Sequence, residues 1–146
     1  MKVSTLLFLT LLLGACASPE KSRQQLYLEA DRLSGGAATQ GGDLQLNVLE
    51  IPSHGPMGDL LEISAIKLRG RPEVRRYLQQ VEASEDPRIL LISRAPALEQ
   101  AAIASATSGQ SLPRLVFIYA ADAGQQPPMR AHIEAAGGRF IELLPR

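Results

Sequence analysis

The chain has 146 residues, its acids and bases balance to a formal charge of zero, and apolar types make up 45% of it. That balance argues against a nucleic-acid partner, whose footprint is a strongly basic surface, and aromatics at 4% with no tryptophan argue against a base-stacking surface. A single cysteine leaves no pair for a disulfide, so stability has to come from core packing.

Residues 1–16 hold one basic residue, Lys2, an apolar run over residues 6–13, then Gly14, Ala15 and Cys16. The run is far shorter than the ~20 residues a membrane span needs. A basic start, a short apolar centre and small residues before a cut site describe an export signal that is removed. The tetrapeptide Leu13-Gly14-Ala15-Cys16 resembles the lipobox of bacterial lipoproteins. The resemblance covers these sixteen residues only. It implies that residues 1–15 are a signal peptide and that Cys16 becomes the first mature residue, carrying a diacylglyceryl group and an N-acyl chain such as palmitate. Stable anchoring needs at least two chains, which a triacylated Cys16 supplies. Ala17 stands where enteric lipoproteins retained in the inner membrane carry aspartate. The resemblance therefore implies the outer membrane of a Gram-negative bacterium, facing the periplasm, with inner-membrane and cell-surface placement left open. The alternative for Cys16, a buried core cysteine, makes no packing sense at the end of an export signal.

Roughly 130 residues follow, an ordinary single-domain length. Ser18-Pro19-Glu20 is a helix-start pattern, and Leu26, Ala30 and Leu33 recur at helical spacing, predicting a short amphipathic helix to residue 33. Residues 35–42 contain four glycines and read as a flexible tether or loose loop. Over residues 43–51, Leu44, Leu46, Val48 and Ile51 alternate with Gln45, Asn47 and Glu50, the pattern of a half-buried strand. A Pro/Gly-rich loop follows at 52–59. Residues 60–68, with Leu61, Ile63 and Ala65 on one face and Leu60, Ile66 and Leu68 near the other, predict a second strand, paired to the first as an antiparallel hairpin.

Pro72 opens the clearest helix, with Val74, Tyr77, Leu78 and Val81 at i, i+3, i+4 and i+7, ended by Ser84-Glu85-Asp86-Pro87. The remainder alternates apolar strands at 88–93, 115–119 and 139–144 with helices at 96–107 and 128–136. Continuous apolar strands between helices predict parallel βαβ units covered on both faces. The expected fold is α/β: an N-terminal helix and Gly-rich tether over 16–42, then one domain over 43–146 with the order β-β-α-β-α-β-α-β. Its sheet is expected to be mixed, of about five strands, parallel in its C-terminal part.

Ligands of open α/β sheets sit beyond the carboxyl ends of parallel strands. Those ends are Ser93-Arg94 and Ala121-Asp122, so Ser93, Arg94 and Asp122 are the candidates for a small-ligand or enzymatic site. The plainer reading makes Ser93 a helix cap and Asp122 the start of a turn. A triple of Ser93, His132 and Asp122 can be drawn, but no Gly-x-Ser-x-Gly nucleophile turn is present, and no catalytic residue is assigned. Paired cysteines, His-x-x-x-His, acidic metal loops and phosphate loops are likewise missing, so neither cofactor nor metal is expected. Five basic residues crowd into ten positions: Lys67, Arg69, Arg71, Arg75 and Arg76. They read either as a solvated helix face or as a docking patch for an acidic partner or anionic lipid phosphate. Anchor, tether and missing catalytic motif point to a non-enzymatic, pilotin-like accessory lipoprotein that binds another envelope protein. The alternative is a small-ligand or enzymatic domain at the strand ends.

Overall fold

A computed structural model describes residues 20–36 and 46–145. The lipobox with Cys16, the Ser18-Pro19 start and most of the glycine-rich segment lie outside the described residues.

Four strands are described, β1 (Asn47–Leu49), β2 (Arg88–Ile92), β3 (Val116–Ala120) and β4 (Arg139–Leu143). The helices are α1 (Arg23–Leu33), α2 (Gly55–Arg69), α3 (Pro72–Ala83), α4 (Pro96–Thr107) and α5 (Gln126–Ala135). The strands form one sheet in the order β1-β2-β3-β4, every pair parallel. Each crossover thus steps to the next strand in the same direction. With the right-handed connection that parallel units obey, all crossover helices fall on one face. The core agrees: Leu49, Ile89, Leu91, Phe117, Tyr119 and Phe140 point to that face and pack with Val74, Leu78, Leu98, Ile103, Met129 and Ile133.

The other face carries Leu90, Ile118, Ala120 and Leu143, and it packs against Leu26 and Ala30 of α1. The N-terminal helix is therefore the second layer over the sheet and not a free part of a tether. Its start is one turn later than the sequence pattern predicts. Ser22 is the N-cap, and a reciprocal pair joins it to Gln25: Ser22 Oγ accepts from Gln25 N–H at 3.2 Å, and Ser22 N–H donates to Gln25 Oε1 at 2.8 Å. Lys21 N–H donates to the Pro145 carbonyl at 2.8 Å, tying this start to the C-terminal segment. Asp31, whose surroundings in sequence predict a solvated position, is wholly buried. Arg88 Nη1 lies 2.7 Å from its Oδ1, and Arg88 also pairs with Asp86 at 2.6 Å. These carboxylates hold the Arg88 guanidinium well above its ordinary pKa, Asp86 more than Asp31. Gly36 closes over the pair; a Cβ there would collide with Asp31 Oδ1 and Arg88 Nη1.

The α/β class stands, but the mixed five-strand sheet is replaced by four parallel strands. Residues 60–68 are not a strand; they lie in α2. Apolar residues there are so dense that both periods fit, and Pro56 in the first turn favours a helix start. No antiparallel hairpin forms, since β1 pairs in parallel with β2 and such a pair needs a long crossover, which α2 and α3 together supply.

Candidate functional site

Because the sheet is parallel, the loops after β2 and β3 emerge at the same edge. Ser93, Arg94 and Asp122 are brought together there, lining one cavity of about 260 Å³ with Ile92, Pro96 and Ala121. Two further hollows, of about 240 and 300 Å³, share Ile92 and Arg94 with it. They carry the depression past Arg23 and along residues 48–52. The result is an open groove across the carboxyl ends of β1, β2 and β3, with an ion pair between Arg23 and Glu50 at one end and exposed Asp122 at the other. Arg94, exposed, lies between them.

Beneath the groove sits a side chain that the sequence does not single out. Glu99, in the first turn of α4, is fully buried. Its Oε1 accepts from the backbone N–H of Arg94 at 2.7 Å and of Ala95 at 2.9 Å. Its Oε2 accepts from Ser93 Oγ at 2.7 Å and from the Tyr119 hydroxyl at 2.9 Å. Burial pushes the Tyr119 hydroxyl far above its ordinary pKa of 10; the Ser93 hydroxyl, 3.1 Å away, acts against this and the neighbouring carboxylate with it. The helix N-cap is Ala95, with no side-chain cap, so Ser93 serves α4 through Glu99 and not as a direct cap. The chain's own carboxylate thus takes the N–H groups of Arg94 and of the cap residue Ala95, just ahead of the first turn of α4. Asp122 begins a turn, its carbonyl accepting from Gln125 N–H at 3.2 Å. The first-turn position of Glu99 is a common one for a solvated acid; here Tyr119, arriving from β3, bonds it from across the sheet.

The Ser93 hydroxyl engages Glu99 and Tyr119, and His132 has no part in that cluster. On the same helix Arg130 stacks 4.8 Å from the Phe140 ring centroid and pairs with Glu134 and Glu142. His54 stands at the N-cap position of α2 without a side-chain capping bond, its Nε2 3.5 Å from Glu62. Among the described residues no cluster of three or more His, Cys, Asp or Glu is arranged to hold a metal ion, and no helix is long and apolar enough to cross a membrane.

The basic cluster divides. Arg71 is turned inward, 2.7 Å from Glu62 and 2.9 Å from Glu73, and Arg75 donates to the Ser105 carbonyl at 2.8 Å. Lys67, Arg69 and Arg76 remain exposed. Beside them, where the residues predict a loop to 59 and a strand over 60–68, Met57, Leu60, Leu61 and Leu68 all project from α2 into solvent.

Comparisons with protein families, with curated proteins and with solved structures find no match for this chain.

Proposed function

We propose that this is a lipid-anchored lipoprotein of the bacterial outer membrane, held through Cys16 and facing the periplasm, that works by docking an envelope protein and not by catalysis. Its role is that of a pilotin-like accessory or assembly factor. The observation that carries the reading is the state of the strand-end groove. Its polar floor is saturated by Glu99, which accepts hydrogen bonds from Ser93, Tyr119 and two backbone N–H groups. Among the described residues, the Ser93 and Tyr119 hydroxyls are paired with Glu99 and with each other, and not with a histidine. What the groove offers is length, apolar walls from Leu26, Ile92 and Pro96, and the exposed Arg94. That combination suits an extended segment of a protein bearing an acidic side chain.

The test places a photo-crosslinking residue at position 94 and, as control, at exposed Ser108, in the full-length protein in cells. Adducts to an envelope protein from position 94 and none from 108 are expected. No adduct from 94 in cells that export the protein sinks the docking reading. Changing Cys16→Ser separates the anchor: the protein is expected to leave the membrane fraction.

A second reading is favoured by one observation, the convergence of Ser93, Arg94 and Asp122 on the cavity of about 260 Å³. It makes that cavity a small-ligand site. A screen of small polar metabolites against thermal unfolding tests it: a hit that stabilises the parent protein and fails on Asp122→Asn supports it, and no hit removes it.

A further inference from the structure

We infer that α2 lies in the interface of an anionic lipid bilayer, with its outward side against lipid. At 3.6 residues per turn, Met57, Leu60, Leu61, Ser64 and Leu68 fall on one side of the helix. The four apolar members are 72%, 60%, 68% and 85% exposed, while Ile66 on the opposite side is buried. Hydrocarbon thus stands where a surface helix ordinarily shows charge.

The charges of α2 nearest the stripe are basic, while Glu62 and the exposed Glu73 line a hollow with Arg69 on the far side of it. The acids of α2 are engaged elsewhere: Asp59 accepts from Ser53 Oγ and from His54 N–H, and Glu62 is paired with Arg71. On the same helical geometry Lys67 flanks the stripe on one side and Arg69 on the other, both exposed. An apolar stripe with basic flanks is the pattern of a helix lying in the plane of a lipid surface, its apolar side ~5–10 Å into the headgroup boundary. Anionic headgroups complement the cations, whereas a second copy of the chain would bring the same positive charge to the same place. Four exposed apolar side chains along one helix are also far fewer than the roughly 20–30 residues a side of a stable interface. A bilayer has no such minimum, because the lipid on Cys16, under the reading above, already holds the domain beside it. The contact itself rests on α2 alone.

The test uses the full-length protein purified from membranes and reconstituted into vesicles. One cysteine is introduced at a time, at Met57→Cys, Leu61→Cys or Leu68→Cys, with Gln80→Cys on exposed α3 surface as control, and each is labelled with an environment-sensitive fluorophore. In phosphatidylcholine vesicles containing one-third phosphatidylglycerol, the three α2 labels are expected to shift to the blue and to be quenched by acyl-chain bromination. The label at 80 is expected to do neither. Lys67→Gln and Arg69→Gln are expected to lower the insertion equilibrium roughly fivefold for each cation removed, and pure phosphatidylcholine to lower it likewise. The inference is overturned if the α2 labels behave like the label at 80. It is also overturned if their shift appears without vesicles and grows with protein concentration, which would mark a second copy, or only on addition of envelope extract, which would mark a protein. The mass of the Cys16 peptide, read before labelling, decides the anchor separately.

Discussion

Helices α2 and α3 follow one another with only Gly70 and Arg71 between them, yet they are opposite kinds of helix. In α3, Val74, Leu78 and Val81 are buried and the outer face is Arg76, Gln79 and Gln80. In α2 a single residue, Ile66, is buried, and Met57, Leu60, Leu61 and Leu68 face outward. The large apolar residues of α3, Val74, Tyr77, Leu78 and Val81, all pack into the core, whereas most of the apolar residues in α2 are left over from it. The lesson is that apolar content alone does not say what a helix packs against; surplus on the outer face is where a use beyond folding is to be sought.

Substitutions sharpen this contrast. The largest effect is expected at Leu78, fully buried: Leu78→Ala should cost about 4 kcal/mol, the lost contacts plus the cavity left behind, measured by chemical denaturation. Next comes Glu99, in the helix against which both α2 and α3 pack. Glu99→Ala strands the N–H groups of Arg94 and Ala95, with an expected cost of about 3 kcal/mol. The joint between the two helices follows. Gly70 has φ 71° and ψ −171°, a region that is essentially glycine's alone, and a Cβ there would meet Ser105 Oγ at 3.0 Å; Gly70→Ala is expected to cost about 2 kcal/mol. On the outer face of α2, Leu61→Ser should change stability by at most about 0.5 kcal/mol while reducing insertion into anionic vesicles. Leu61→Ser costing as much as Leu78→Ala would break the comparison outright.

The smallest effect concerns pH. Asp59 is held below its ordinary 3.8 first by the Ser53 hydroxyl, then by the His54 N–H and the His54 charge. A carboxyl whose folded pKa is depressed contributes stability above its unfolded pKa and loses it as pH falls through the folded value. Acidification below about pH 4 should therefore loosen the start of α2 and spare α3, visible as faster amide exchange at the first turn of α2. Equal loosening of both helices would remove that role for Asp59.

Much of the scaffold is legible in the residues themselves. The helix from Pro72 is announced by Val74, Leu78 and Val81, and the helix from Pro96 to Thr107 and the apolar strands β2, β3 and β4 follow from their patterns within a residue or two at their ends. The strand ends with Ser93, Arg94 and Asp122 are likewise placed by the alternation of strand and helix. Less legible are Asp31 and Glu99, each in a type that is usually solvated, because their burial depends on Arg88 and Tyr119, 57 and 20 positions away. The cap at Ser22 is missed because Ser18-Pro19 offers the same signal four residues earlier.

From Pro72 onward, sequence alone thus determined where the chain changes direction, which segments are buried strands, and that a parallel α/β arrangement closes the C-terminal part. These are local matters, governed by apolar period, proline and glycine. Tertiary structure decided that residues 60–68 are helical, that β1 joins the sheet in parallel, and that α1 forms its second layer. It also decided that an apolar stripe on α2 is left in solvent. Each of these depends on which surface finds a partner across the sheet, and a residue's neighbours along the chain do not carry that information.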